Sequence, residues 1–316
     1  MTTYGLIPVH DSNDAKVDIV FLHGLRGDIS KTWTKDGVVW PRDLLPKDVP
    51  ESRVFLFGYD SAIMHLDQSS VTKTEIHSDA NDLCAKLADK RSATGTENRP
   101  IIFVAHSLGG LVAAQVLVHG EQMDEGSAAK AVAKNLRGLI FLGTPFRGSS
   151  SARPVEIARK ILALFGANTQ EHTLKLLGVD SDRLDELTRA FSELLNKRRM
   201  SKEAEDRIEA LFCYETLPTK SKSGLSILSV QIVEPYSAQL PGCGDATPIR
   251  ASHVDICKFA TSREEGYEVV ISRIRKMMLS PGFKPPKGSN VIQVLGKAVN
   301  VSNGHINING GQTNNL

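Results

Sequence analysis

Short, nearly uninterrupted apolar runs alternate with longer amphipathic stretches, and this alternation restricts the fold more than any other property of the chain. The runs are VDIVFLHG (17–24), RVFLFGYD (53–60), IIFVAHS (101–107), LRGLIFLGTP (136–145), IEALFCYET (208–216) and LSILSVQIVE (225–234). Consecutive apolar positions mean that both faces of a strand are covered, as in a parallel sheet. Between the runs, EIHSDANDLCAKLADK places Ile76, Ala80, Leu83, Cys84 and Leu87 on one helical face. Strand, helix, strand in repetition predicts an α/β architecture, a parallel sheet with helices on both sides. Near the end, Ser262 and Glu265 fit a capping box for a helix through YEVVISRIRKMM.

Two stretches break the rhythm. Residues 151–207 hold SDRLDELTRAFSELLNKRRM, with Leu184, Leu187, Phe191, Leu194 and Leu195 at helical spacing. This is a helical insertion between two strands, expected to cap one edge of the sheet, either packed for stability or covering a substrate. After Ser280 comes the Pro- and Gly-rich connector PGFKPPKGSN, followed by a tail rich in Asn and Gly and nearly uncharged. Such a tail buries too little apolar surface to fold alone. The expected division is one domain over 1–283 and a linker with tail over 284–316.

Composition serves to exclude. The 316 residues are 41% hydrophobic and 23% charged, enough for one large core. The net charge is +2, without a basic stripe interleaved with aromatics, so no nucleic-acid partner is expected. Cys84, Cys213, Cys243 and Cys257 are scattered, which argues for reduced, buried thiols rather than disulfides or a zinc site. No metal or organic cofactor is implied. The opening MTTYGLIPVHDSNDAKVD has neither a basic n-region nor an apolar h-region. No apolar run approaches the ~20 residues of a transmembrane segment. The expectation is a cytoplasmic protein, with membrane association reserved for an activated state.

The chemistry gathers at IIFVAHSLGGLVAAQ (101–115). Ala105-His106-Ser107-Leu108-Gly109 fits the nucleophile elbow G-x-S-x-G with alanine at its first position. The strand must turn sharply into the helix GLVAAQVLV, which holds Ser107 in a strained conformation near the positive end of that helix. A hydroxyl is a weak nucleophile near neutral pH and needs a base, with a third group to orient it. The elbow goes with the order serine, acid, histidine. His253, in ASHVDICKF just ahead of the last helix, is the candidate base. His305 lies in the tail, His119 and His172 in helical segments, and His106 is read as structural. Three carboxylates qualify as the acid. Glu234, ending LSILSVQIVE, comes first; Glu215, ending LFCYE, second; Asp245, in PGCGDATP, third. The oxyanion donors are expected to be the N–H of Leu108 and the N–H of Leu25, where His23-Gly24 lets the backbone turn inward.

FLHGLRGD, TWTKDGVVWPRDLLP, VFLFGYDS, FVAHSLGGLVAAQVL, LIFLGTPFRGS, YETLPT and SHVDICKF occur in an order that resembles the serine α/β-hydrolases of the SERAC and SesB type, relatives of GPI-inositol deacylases and other lipase-like proteins. The resemblance covers about residues 17–275. It implies an α/β-hydrolase fold with a mainly parallel central sheet, helices on both faces and a helical cap. It also implies a Ser-acid-His triad and an ester substrate, lipid foremost; Ser107 and His253 carry over directly. Ala105 replaces the usual first glycine, and Phe146 stands where the pattern TPHRGS has histidine, so any role of that histidine is absent here. In IVEPYSAQLPG, family versions carry an acid at the position of Glu234 or two residues later, where this chain has Tyr236.

The tail resembles the short amyloid-forming motif that ends fungal SesB-type lipases and is shared with a NOD-like receptor. Val299, Val301, Ile306 and Ile308 alternate with polar residues around Asn303-Gly304, a strong turn signal, and such arms can stack chain upon chain. The implied partners are an ester or lipid substrate, a receptor sharing the motif, and further copies of this chain through residues 290–316. The expected function is a lipase or carboxylesterase acting as an effector in fungal amyloid signalling or incompatibility. The alternatives are a non-enzymatic adaptor with an inert hydrolase fold, and a thioesterase or peptidase using the same triad.

Overall fold

The computed structural model describes residues 4–59, 61, 73–146, 160, 181–223, 226–283, 290–294, 297–302 and 305–308. Its strands run β1 (Gly5–Asp11), β2 (Val17–Leu22), β3 (Ser52–Gly58), β4 (Ile101–His106), β5 (Leu136–Leu142), β6 (Glu209–Glu215), a hairpin of β7 (Thr219–Ser223) and β8 (Ser226–Val230), then β9 (Asp245–Ile249). Seven of them form one sheet in the order β1-β3-β2-β4-β5-β6-β9. Every neighbouring pair is parallel except β1 with β3.

The apolar runs become central strands because both of their faces are covered. All six residues of β2 are buried. Successive side chains point to opposite faces, so Val20 and Leu22 enter one core while Val17, Ile19 and Phe21 enter the other. Against the first face pack α1 (Lys73–Ser92), α2 (Gly109–Gln122), α3 (Ala128–Asn135) and α4 (Ser181–Arg199). Against the second pack α5 (Glu265–Leu279) and the segment carrying Trp33 and Trp40. This is the α/β-hydrolase fold. From β2 the chain steps outward to β3 and then returns past β2 to β4.

Several expectations change. LSILSVQIVE contributes only β8, which pairs antiparallel with β7 outside the main sheet. The last strand of the sheet is instead β9, DATPI, whose residues are mostly exposed or half-buried. As an edge strand it has no apolar run to announce it. From the expected cap, α4 packs into the core, with Phe191 stacked on Phe146 at 5.6 Å and edge-on to Phe141 at 5.9 Å. Residues 151–159 and 161–180 of that insertion, His172 among them, lie outside the described residues. The N-cap of α5 is Glu264 rather than Ser262; its carboxylate accepts the N–H groups of Ala260 and Thr261 and pairs with Lys35.

At the amino end of β2, fully buried Asp18 meets three guanidinium groups. Arg53 binds it through two nitrogens at 2.8 and 3.0 Å, Arg91 at 2.5 Å and Arg99 at 3.1 Å. One carboxylate thereby ties together two strands, the end of α1 and the approach to β4. The four cysteines are free and buried, and burial pushes the thiols of Cys84, Cys213 and Cys257 up to about 12. Among the described residues, no helix is long and apolar enough to cross a membrane. In the tail, β10 (Asn290–Val294), β11 (Lys297–Ser302) and β12 (His305–Ile308) form an antiparallel sheet, with Ile292 opposite Val299 and Val301 opposite Ile306.

Candidate active site

Ser107 follows β4 directly and has a φ of 52°, a left-handed conformation that costs a non-glycine residue roughly 1–2 kcal/mol. The surroundings enforce it. The Ser107 N–H donates to the Leu142 carbonyl on the neighbouring strand at 3.0 Å, and its own carbonyl accepts from Gly110 at 3.0 Å to start α2. Gly109 permits the turn: a Cβ there would lie 2.3 Å from the His23 carbonyl oxygen and 2.6 Å from that of Leu22. The helix therefore begins in contact with the end of β2, and only glycine fits between them.

The candidate base, His253, lies in the loop after β9. His253 Nε2 lies 3.0 Å from Ser107 Oγ, and Nδ1 lies 3.0 Å from Glu215 Oε2. All three side chains are buried. Glu215 ends β6, and its second oxygen accepts the Val233 N–H at 2.8 Å. With Oε2 ionised, Nδ1 carries the proton and Nε2 is left free to accept one from the serine. Of the three candidate carboxylates, the structure brings Glu215 to the imidazole. Glu234 sits in a turn, where its carbonyl accepts from Ser237 and Ala238. Asp245 opens β9 at the opposite end of the strand from His253 and pairs with Arg273 at 2.5 Å. The segment around Glu234 thus meets Glu215 through the backbone of Val233.

Leu25 and Leu108 flank the serine from two loops. A Cβ on Gly24 would lie 2.7 Å from Ser107 Cβ, so the turn after β2 sits against Ser107. Among the described residues, neither the Leu25 N–H nor the Leu108 N–H donates to a protein acceptor, and Leu108 stands at the amino end of α2. Unpaired donors beside a nucleophile are what an oxyanion requires. The Leu25 side chain packs on Ile232, Val233 and Ala238. Behind it, His23 Nδ1 lies 3.0 Å from the Gly24 carbonyl and donates to it, while Nε2 accepts the Tyr59 N–H at 3.4 Å. The Tyr59 ring stacks on His23 at 4.3 Å, and its hydroxyl donates to the His23 carbonyl. Burial lowers the His23 pKa, which favours the neutral ring this network needs.

Sequence reasoning missed Thr219, Val233 and Tyr59 as parts of the site. Thr219 Oγ1 accepts the His253 N–H at 3.1 Å. Its signal was present: YETLPT holds both Glu215 and Thr219 and runs on from the last two residues of β6. Val233 acts through its backbone N–H, which leaves no mark on residue type, and Tyr59 acts on His23 from a distant strand end, a contact that only the fold reveals. His106, expected to be structural, lies with Nε2 2.9 Å from the His253 carbonyl. Among the described residues, no three His, Cys, Asp or Glu side chains gather to hold a metal ion.

Residues 19–220 match the model of the Alpha/beta hydrolase family. Protein SERAC1 of Bos taurus is 30% identical over 267 residues, covering 78% of this chain and 37% of its own length. The Homo sapiens protein is 29% identical over 265 residues with the same coverage, 78% and 37%. The chain therefore spans little more than a third of the length of these curated relatives. Among solved structures, a monoglyceride lipase of Saccharomyces cerevisiae superposes with a TM-score of 0.46 at 12% identity, covering 86% of this chain and 88% of that one. An esterase of Pyrococcus furiosus gives 0.46 at 14% identity, covering 84% and 82%.

Proposed function

The chain belongs to the alpha/beta hydrolase family, and from that premise we propose that it is a serine hydrolase of acyl esters, with lipid esters the favoured substrates. Ser107 Oγ attacks the ester carbonyl carbon as His253 Nε2 takes its proton, and Glu215 stabilises the imidazolium that forms. The carbonyl oxygen becomes an oxyanion between the N–H groups of Leu25 and Leu108. The bond to the alcohol then breaks, and the alcohol leaves with the proton from His253. Water, deprotonated by His253, attacks the acyl-serine; the acyl–Oγ bond then breaks as His253 returns the proton to Ser107 Oγ, which releases the carboxylic acid and restores the serine.

The observation that carries this reading is the unbroken relay from Oγ to Nε2 at 3.0 Å and from Nδ1 to Oε2 at 3.0 Å. A fluorophosphonate probe should label the protein, and short p-nitrophenyl esters should be turned over. Ser107→Ala should do neither; labelling or turnover that survives the substitution would refute the assignment.

For the tail we propose a separate role, assembly with other copies of the chain or with a NOD-like receptor carrying a similar motif, which clusters the hydrolase as a signalling effector. The support is the antiparallel pairing of β10, β11 and β12, with Ser302 opposite His305. On this reading residues 1–283 are one catalytic unit and 284–316 its assembly arm.

A further inference from the structure

β4 ends in a side chain that reaches across to the base. His106 Nε2 is 2.9 Å from the carbonyl oxygen of His253, and because a carbonyl only accepts, the ring nitrogen must donate. The His106 ring is buried, tilted 41° to the His253 ring with centroids 5.1 Å apart. Burial, ahead of the repulsion from His253, lowers its pKa to about 3, so it keeps one neutral tautomer across the working pH range.

We propose that His106 is a positioning residue for the reaction: its bond to the His253 carbonyl fixes the imidazole against the nucleophile. His106 and Ser107 are chain neighbours, and each makes one hydrogen bond to the same residue of the opposite loop. The two bonds close a ring, His106 side chain to His253 main chain and Ser107 Oγ to His253 Nε2, at 2.9 and 3.0 Å. A loop held at one point can pivot; held at both, it cannot carry the imidazole away from Oγ without breaking a bond to β4. Thr219 Oγ1 holds the N–H of the same residue at 3.1 Å, and Glu215 holds Nδ1. His253 is thus fixed at every polar atom it has, and His106 refers the main chain of that residue to the strand that carries the serine. A histidine directly before the nucleophile then serves as a gauge of the serine–imidazole distance, and contacts no substrate.

The inference rests on the serine-hydrolase reading for its kinetic arm and is independent of it in its spectroscopic arm. In the full chain, His106→Leu and His106→Phe remove the donor, while His106→Gln returns an amide N–H near the Nε2 position. Both donor-free variants should lose about 10- to 100-fold in kcat, the scale of a displaced catalytic group, with KM within about twofold. His106→Gln should recover to within about threefold of wild type, since its amide restores the donor. The downfield proton resonance of the His253 Nδ1–H···Glu215 bond should weaken in the donor-free variants and persist in His106→Gln. A folded donor-free variant with wild-type kcat and resonance, or donor-free and Gln variants that behave alike, would overturn the proposal. If the wild type turns over no ester, the hydrolase reading fails while the resonance still decides: loss confined to the donor-free variants upholds the tether, and an unchanged signal in all of them removes it.

Discussion

Glu215 and Glu234 differ in what surrounds them. Glu215 is buried, with the imidazole on one oxygen and the Val233 N–H on the other. An amide in its place would present the wrong partner to Nδ1 and favour the unproductive tautomer, so Glu215→Gln should lower kcat by roughly 10³–10⁴. Glu234 is half-buried in a turn, and Glu234→Gln should stay within about twofold. Ester turnover by both variants, measured beside wild type, checks the pair; equal losses would return the acid to the segment after β8. Ser107 is legible in the sequence because its chemistry is local: strand, serine and glycines adjoin. His253 is legible because the order of the partners leaves few histidines after the last strand. The acid is another matter. Its rank depended on which apolar run was a sheet strand, and LSILSVQIVE has the pattern of a central strand while forming half of a hairpin.

Among the elements, those buried on both faces wrote themselves into the sequence, as β2, β4 and β5 show, with six, six and seven buried residues in succession. The edges did not. β1 and β9 each have one side open, so GLIPVHD and DATPI lack a continuous apolar signature. The cluster around Asp18 was also silent, because a charge within a strand reads as surface until its partners are known. Asp18→Asn would leave three arginines without their carboxylate, two of them almost completely buried. Breaking such a cluster from one side costs about 3–5 kcal/mol. The variant should therefore unfold at markedly lower denaturant, with its m-value unchanged. Unaltered stability would mean that neighbouring acceptors or water take over the hydrogen bonds of the three guanidinium groups.

At the scale of the whole molecule, the proposed division can be tested by cutting it. Residues 1–283 alone should turn over ester at the rate of the full chain, while the full chain forms thioflavin-positive assemblies and the shortened one does not. Loss of turnover on truncation would mean that the tail completes the site rather than gathering copies of it. The pairing of the tail strands needed the register, which composition does not carry. The four buried thiols have a consequence for anyone who wants to watch such a molecule at work. With all four native thiols shut away from solvent, a single cysteine installed at Leu279, 81% exposed on the last turn of α5, gives a thiol-reactive dye or spin label one address on an otherwise silent background.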